Sequence, residues 1–515
     1  MASTRRTSIA LVGAGVGGLS AAARLAAEGF AVTVYEQGAG PGGRCGRIAD
    51  HGYAFDVGPT LLLMPEVLEE TFAVCGRRVA DYLTLHRCDP NYRIHFRDGS
   101  AVTFTTELTA MAQELERIEP GSSQRYLAFL AQGQVQYRTS VDRFVGRNFD
   151  HLGQFLTPGN LRQVLRVRAH RKMYAEVSRF FRDERLRAAL SFQTMYLGIS
   201  PYDAPAVYGL LPYTELGMGI WYPEGGMYQL PLALERLCRE LGVEIHYRAP
   251  VARIACDGTR ATGVVLGDGR HVAADVVLCN ADLPWAYRNL LDPATTRLPR
   301  AERLRYTSSA FMLYLGLSRR APQLLHHNVF FGRDYRGSFE DIFRRFRVPE
   351  DPSFYVNVAS RTDPGVAPAG CDGVYVLVPV PHRHPSLDWS VEGPRLRAKV
   401  FRRLAEIGCD DLERHVVVEH QRTPEDWATT LNLELGSAFG LSHDFFQVGP
   451  FRPKNQDPTV RNLFFVGAST QPGTGLPMVM LSARLVTERI RAYAGAQPAP
   501  ALDEPRLAVA GGTAA

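Results

Sequence analysis

Ser8-Ile9-Ala10-Leu11-Val12 runs directly into Gly13-Ala14-Gly15-Val16-Gly17-Gly18, and the reading of this segment decides the fold. Ser8 to Val12 reads as a short buried strand. Leu19 to Glu28 carries apolar residues at helical spacing, and Ala31 to Tyr35 is a second strand ending at Glu36. Strand, glycine turn, helix, strand and acid fall in the order of a dinucleotide-binding Rossmann unit. Each residue has a physical task in such a unit. Gly13 permits the tight turn, Gly15 lets backbone approach a pyrophosphate, and Gly18 lets helix and strand pack closely. The helix N-terminus offers unpaired N–H groups and a positive dipole end to phosphates. Glu36 is placed to accept hydrogen bonds from an adenosine ribose.

Immediately after Glu36 comes Gly38-Ala39-Gly40-Pro41-Gly42-Gly43-Arg44, a second glycine-rich loop with a fixed cation. A simple NAD domain has no use for this loop, whereas a longer dinucleotide does. Gly43 and Arg44 therefore select FAD over NAD, with Arg44 neutralising phosphate charge. Further downstream no second GxGxxG stands in strand–turn–helix context, so NAD(P)H has no site of its own.

Other cofactor pieces lie far along the chain. Gly225-Gly226 precedes an amphipathic helix with Leu230, Leu234 and Leu237 toward its buried side. Val243 to Tyr247 reads as a strand, and Val251 starts another whose backbone reaches the adenine. Phe464-Phe465-Val466 is a buried strand entering Gly467 and the Gly473–Gly475 loop, before a helix from Leu476 to Arg491. The fold class is α/β: a discontinuous Rossmann-like FAD-binding domain (1–105, 225–292 and 455–495) with an interleaved α+β substrate domain (106–224 and 293–454). Alternation around the Asp257-Gly258 and Asp268-Gly269 turns predicts antiparallel strands. Residues 496–515, rich in Ala, Pro and Gly, are predicted to be a disordered tail.

Composition narrows the class. A chain of 515 residues is long enough for two or three cores. Net charge is +5 without a dense basic block, which speaks against nucleic acid. The eight cysteines are scattered with no CxxC pair, so a disulfide framework or metal site is not predicted. The run from Ile9 to Ala23 imitates a signal peptide, but its glycines and Arg24 argue against that, and a cytoplasmic location is predicted.

Three segments carry a family resemblance. Glu36 through Gly42-Gly43-Arg44 resembles the flavin amine oxidase and carotenoid desaturase superfamily. Gly219-Ile220-Trp221-Tyr222-Pro223-Glu224-Gly225-Gly226-Met227 is similar to a signature of bacterial and fungal phytoene desaturases. Asn462 through Pro477, which contains Pro472-Gly473-Thr474-Gly475-Leu476-Pro477, resembles the terminal signature of the same family. Gln471 departs from it, standing where the family usually carries His.

The resemblance implies an FAD-dependent desaturation of a C40 or C30 polyene such as phytoene toward lycopene. It places Thr470 to Pro477 beside the isoalloxazine, with Gly467, Gly475, Leu476 and Pro477 as cofactor contacts. A hydride leaves for the flavin, and oxygen or a quinone reoxidises it. The resemblance also implies a proton-handling acid–arginine pair, which falls here on Asp150 and Arg147. Carotenoid ketolases, isomerases and saturases share the same landmarks, and prenyl-binding carriers of the GDP-dissociation-inhibitor type share the fold; these stay open as alternatives.

A water-insoluble substrate needs a long apolar tunnel and a route from a bilayer. Candidates for tunnel walls are Phe192, Met195, Tyr196, Tyr208, Phe311, Tyr314, Phe330 and Phe331. The stretch Leu161–Leu190 interleaves arginines (Arg166, Arg168, Arg171 and Arg179 among them) with Leu165, Met173, Phe180 and Phe181. It reads either as a solvated basic face or as an interfacial helix on anionic lipid, and the second reading predicts a peripheral membrane protein. Substrate chain length, the number of double bonds introduced and oligomeric state stay open.

Overall fold

The structure is a computed structural model that describes residues 6–294 and 296–495. The tail 496–515 lies outside the described residues. The nucleotide unit folds as read. Strands Ser8–Val12 and Ala31–Tyr35 pair in parallel, with Leu11 opposite Val34. The connecting helix begins at Val16, earlier than the apolar spacing announced, because Gly17 and Gly18 form its first turn despite their poor helix propensity.

These strands belong to a five-stranded sheet that is parallel throughout. Its order is Leu463–Phe465, Val276–Cys279, Ser8–Val12, Ala31–Tyr35, Glu244–His246. The strands Ser8–Val12, Val276–Cys279 and Leu463–Phe465 are buried on both faces, whereas the edge strand Glu244–His246 exposes Glu244 and His246. Helix Val16–Ala27 packs against Leu476–Ala494 and Gln229–Glu240, so the two ends of the chain close one layer. A separate antiparallel sheet of Val251–Asp257, Arg260–Leu266 and His271–Ala273 turns at Gly258 (φ 54°) and Gly269 (φ 86°), as the turn residues predicted.

The second large sheet has seven strands, in the order Val416–Arg422, Ser309–Leu317, Asp372–Val380, Phe354–Asn357, His327–Phe330, Tyr92–His95, Ala101–Phe104. It is antiparallel except where Tyr92–His95 runs parallel to His327–Phe330. Tyr92 to Phe104, grouped by the sequence reading with the nucleotide segments, therefore hydrogen-bonds in this sheet. One face buries Phe311, Phe330, Val356 and Val376 under helix Trp389–Ala405. The other face looks toward the nucleotide layer.

The basic stretch is a correction to the single interfacial helix. It breaks into Pro158–Arg166, Met173–Val177 and Glu184–Ala189, with Arg168 in a left-handed turn at φ 57°. Buried Glu176 gathers the charges: Arg168 Nη1 lies 2.6 Å away, Arg179 Nη1 2.8 Å and Arg171 Nε 3.1 Å. Part of the positive face is thus an internal ion cluster. Leu161 (45% exposed) and Leu165 (62%) remain on the surface of the first helix.

Removing the buried partner strands three cations that are each partly solvated. Glu176→Ala should destabilise the protein by about 1–3 kcal/mol, less than a fully buried pair would cost. Urea denaturation followed by tryptophan fluorescence reads this directly, and an unchanged midpoint contradicts the cluster's structural role.

Candidate functional site

The carboxyl ends of the parallel strands open onto a continuous cavity of about 630 Å³ that extends between the two large sheets. At one end its wall is Gly13, Gly15, Glu36, Gly43 and Arg44; Val251 and Asn280 stand beside them. Such a crevice, at the strand ends of an α/β sheet, is where dinucleotides bind.

The glycines are required by close packing. Gly13 has φ 95°. A Cβ on Gly18 would lie 2.4 Å from the Gly13 carbonyl oxygen, and one on Gly15 would lie 2.7 Å from Asn280 Oδ1. Gly17 and Gly467 face the same side chain, at 3.1 and 2.9 Å from Asn280 Nδ2 to a built Cβ. Asn280 in turn donates to the Val466 carbonyl at 2.9 Å. This residue, at the end of Val276–Cys279, was missed in the sequence because an Asn after a strand has no distinctive spacing. Glu36 accepts from the Ala14 and Gly38 amides, both at 2.7 Å, which fixes its carboxylate at the rim.

Half-buried Arg44 donates to the Ala438 carbonyl at 3.2 Å. Burial lowers its pKa, and the Asp282 carboxylate opposes that shift. Asp282 accepts from Ser469 Oγ at 2.5 Å, so the second glycine loop is tied to the C-terminal loop. Burial raises the Asp282 pKa, with the Ser469 hydrogen bond working against it. Gly226 is expected from the sequence to lie near the cofactor. It lies outside the cavity wall, and its φ of 98° serves a turn in which a Cβ would come 3.1 Å from Asp56 Oδ1.

The C-terminal loop supplies Gly467, Gly475, Leu476 and Pro477 to the wall. Arg452, 1% exposed, holds this loop through backbone carbonyls alone, including Thr470 at 2.9 Å and Ala468 at 2.5 Å. Gln471 turns away from the cavity and donates to the Gly449 carbonyl at 3.0 Å. An imidazole reaches the loop from His443 instead, whose Nε2 accepts the Thr474 amide at 3.1 Å. Burial, reinforced by Arg452, holds His443 well below its ordinary pKa and hence neutral.

The remainder of the cavity is apolar. Phe192, Met195, Tyr196, Tyr208 and Phe331 line it as predicted, while Phe311, Tyr314 and Phe330 pack elsewhere in the cores. Hydroxyl-bearing residues, among them Thr60, Tyr355 and Tyr375, are interspersed in this mostly apolar wall.

The pair Asp150 and Arg147 is not assembled. Asp150 is 64% exposed and bonded to Arg489 Nη1 at 2.8 Å, and exposed Arg147 also lies outside the cavity wall. Burial pushes the Asp150 pKa up, but the Arg489 hydrogen bond and charge outweigh it and hold the carboxyl below its usual range. The structure also brings together Cys88, His326 and His327, buried, with donor atoms within 4.8 Å. Their separation in sequence concealed this cluster.

Comparison with known proteins identifies the family. The family model described as flavin containing amine oxidoreductase matches residues 16–491. The chain is 66% identical over 497 residues to a zeta-carotene-forming phytoene desaturase of Myxococcus xanthus, covering 96% of each chain. The chain belongs to the carotenoid desaturases of the flavin amine oxidase superfamily. An all-trans-zeta-carotene desaturase of the same organism, another member, is 36% identical and covers 96% of this chain and 94% of its own. Among solved structures an oxidoreductase from Methanosarcina mazei shares the fold, with a TM-score of 0.64 at 18% identity over 93% of this chain and all of that one (100%). This desaturase-family chain is an FAD-dependent oxidoreductase, and its glycine cradle, rim carboxylate and helix N-terminus fit that cofactor.

Gly15→Val would place methyls on Asn280 and into the cradle, so the folded variant should purify without flavin. Glu36→Ala should weaken FAD retention by about 1–3 kcal/mol, the cost of losing charge-assisted hydrogen bonds. Flavin absorbance per protein after gel filtration measures both, and stoichiometric flavin in Gly15→Val contradicts the placement. Asp150→Asn should slow turnover by less than the roughly 10²-fold minimum expected of a general base.

Proposed function

We propose that the chain desaturates phytoene, with zeta-carotene as the product, at a membrane surface and without a nicotinamide cofactor. The observation that carries this reading is the cavity: one continuous space joins the glycine cradle to a long, nearly apolar extension. A polyene has no polar handle, so shape and exclusion of water must position it. The product assignment is supported by the 66% identity to the zeta-carotene-forming enzyme against 36% to the zeta-carotene-consuming one.

FAD, when bound, supplies a two-electron acceptor for hydride. The protein's part is binding, alignment and dryness. Gly13, Gly15, Gly18, Glu36, Gly43, Arg44 and Val251 hold the dinucleotide end; Gly467, Gly475, Leu476 and Pro477 face the ring end. Phe192, Tyr196 and Phe331 hold the chain of the substrate against that ring.

The membrane reading rests on an exposed apolar patch on helices that also line the cavity. Phe155 and Val164 line it from helices Leu152–Phe155 and Pro158–Arg166. Exposed Leu152, Leu156, Leu161 and Leu165 lie on or beside the same two helices, and Phe446 nearby in the cavity rim loop is 68% exposed. Such a patch, with Arg162 and Arg166 beside it, suits the headgroup boundary of an anionic bilayer. No helix among the described residues is long and apolar enough to cross a membrane. Oxygen or a membrane quinone then serves as final acceptor.

Phytoene-loaded anionic liposomes, FAD and air, with nicotinamides enzymatically destroyed, should yield zeta-carotene on chromatography. Leu161→Ser/Leu165→Ser should lose flotation with those liposomes while keeping its flavin. Product formation that requires NAD⁺, or flotation undiminished in the double variant, contradicts the respective half of the proposal.

A further inference from the structure

With Asp150 on the surface, the desaturation lacks a group to take the second hydrogen. A group suited to that task is polar, lines the cavity and is hydrogen-bonded to a partner able to accept a proton. Partly buried Tyr355 is such a group. It lines the cavity from strand Phe354–Asn357, beside Thr60.

The hydrogen-bond directions can be assigned from chemistry. Asn357 Nδ2 lies 3.3 Å from His327 Nδ1, and an amide nitrogen only donates, so Nδ1 carries the lone pair. The Tyr355 hydroxyl, 2.7 Å from the same Nδ1, must then donate to it. Thr60 Oγ1, 2.9 Å from the Tyr355 oxygen, completes the chain by donating to that oxygen. The order is Thr60 to Tyr355 to His327, running from the cavity wall into the interior.

His327 is fully buried, and burial together with neighbouring His326 keeps its pKa well below the ordinary value. It is therefore neutral, with the Nδ1 lone pair facing the Tyr355 hydroxyl. Asp56, whose pKa burial raises to about 6 against hydrogen bonds from Met227 and Tyr228, is the nearby carboxylate that acts on Tyr355.

We propose that Tyr355 is the proton-accepting residue of the desaturation and that His327 is the positioning residue that receives the proton through it. This rests on the desaturase reading. The substrate loses a hydride, with its electron pair, to the flavin oxidant, leaving an allylic cation. The neighbouring C–H bond then breaks, and its electron pair becomes the new π bond. The proton goes to the Tyr355 oxygen as the Tyr355 proton moves to His327 Nδ1. A neutral phenol suffices because a carbon next to a cationic centre is strongly acidic, and the imidazole behind it accounts for the charge. The low pKa of His327 returns the proton readily once the product leaves.

Tyr355→Phe keeps the ring contacts with His327 and Tyr375 and removes only the hydroxyl. It should retain flavin and KM while kcat falls on the order of 10²-fold. His327→Gln, which leaves an acceptor for the Tyr355 hydroxyl but cannot hold a second proton, should likewise lower kcat at constant KM. Independently of turnover, ¹⁵N-histidine NMR of the flavin-loaded protein should show His327 Nδ1 unprotonated, and its shift should move in Tyr355→Phe. Either variant alone decides the kinetic question if the other fails to fold. A kcat within about threefold of wild type, a change in KM alone, or a protonated Nδ1 overturns the relay. Wild-type protein inactive on every polyene would sink the desaturase reading itself, a different failure from an active wild type matched by an undiminished Tyr355→Phe.

Discussion

Asn280 fills the space that Gly15, Gly17, Gly18 and Gly467 leave empty, and the rest of the structure is arranged around that contact. Two of its neighbours begin the chain's first helix, and another ends the last strand of the parallel sheet. The side chain donates to Val466 while its own amide donates to Val12 at 2.8 Å. A larger residue at Gly18 meets the Gly13 backbone carbonyl at 2.4 Å, whereas at Gly15, Gly17 or Gly467 it meets the Asn280 side chain, which must then shift. Segments hundreds of residues apart in sequence therefore become one cradle. Asp282 accepts from Ser469 of the C-terminal loop, and its charge acts on Arg44 of the second glycine loop.

That assembly sets the chemistry available. Once the dinucleotide end is fixed by the parallel sheet, the reactive end must point along the cavity toward the second sheet. There the wall is mostly aromatic and aliphatic. A hydrocarbon chain gains from leaving water at roughly 25 cal/mol per Å² of apolar area, without any directional contact. Position along the tunnel, and hence which bond reacts, then depends on shape. Its polar groups are consequently informative: a dry cavity keeps a hydroxyl such as that of Tyr355 only where partners satisfy it.

How much was legible follows from whether a feature is local. The fingerprint from Ser8 to Glu36 was readable because turn, helix and acid follow one another within a few residues, and even the Gly258 and Gly269 turns were placed. The role of Gly18 in close packing was legible, while the approach of Gly226 to Asp56 was not, since Asp56 is distant in sequence. The pairing of Tyr92–His95 with His327–Phe330 was not legible, because the parallel partner lies far downstream. The basic stretch misled for the same reason: periodicity shows where arginines fall but not that Glu176 is buried among them. Asp150 was given Arg147, three residues away, when folding delivers Arg489. Tyr355, Thr60 and His327 had no motif at all, and only the packing of two sheets brings them together.

The central claim is that electrons pass from the polyene to a flavin held in this single cradle. Anaerobic titration of the purified flavoprotein with phytoene in lipid, followed by flavin absorbance, tests it most directly. The account predicts that the flavin bleaches in proportion to the double bonds formed, with no nicotinamide present. Flavin that stays oxidised in the presence of phytoene, and is reduced only when a nicotinamide is added, would contradict it.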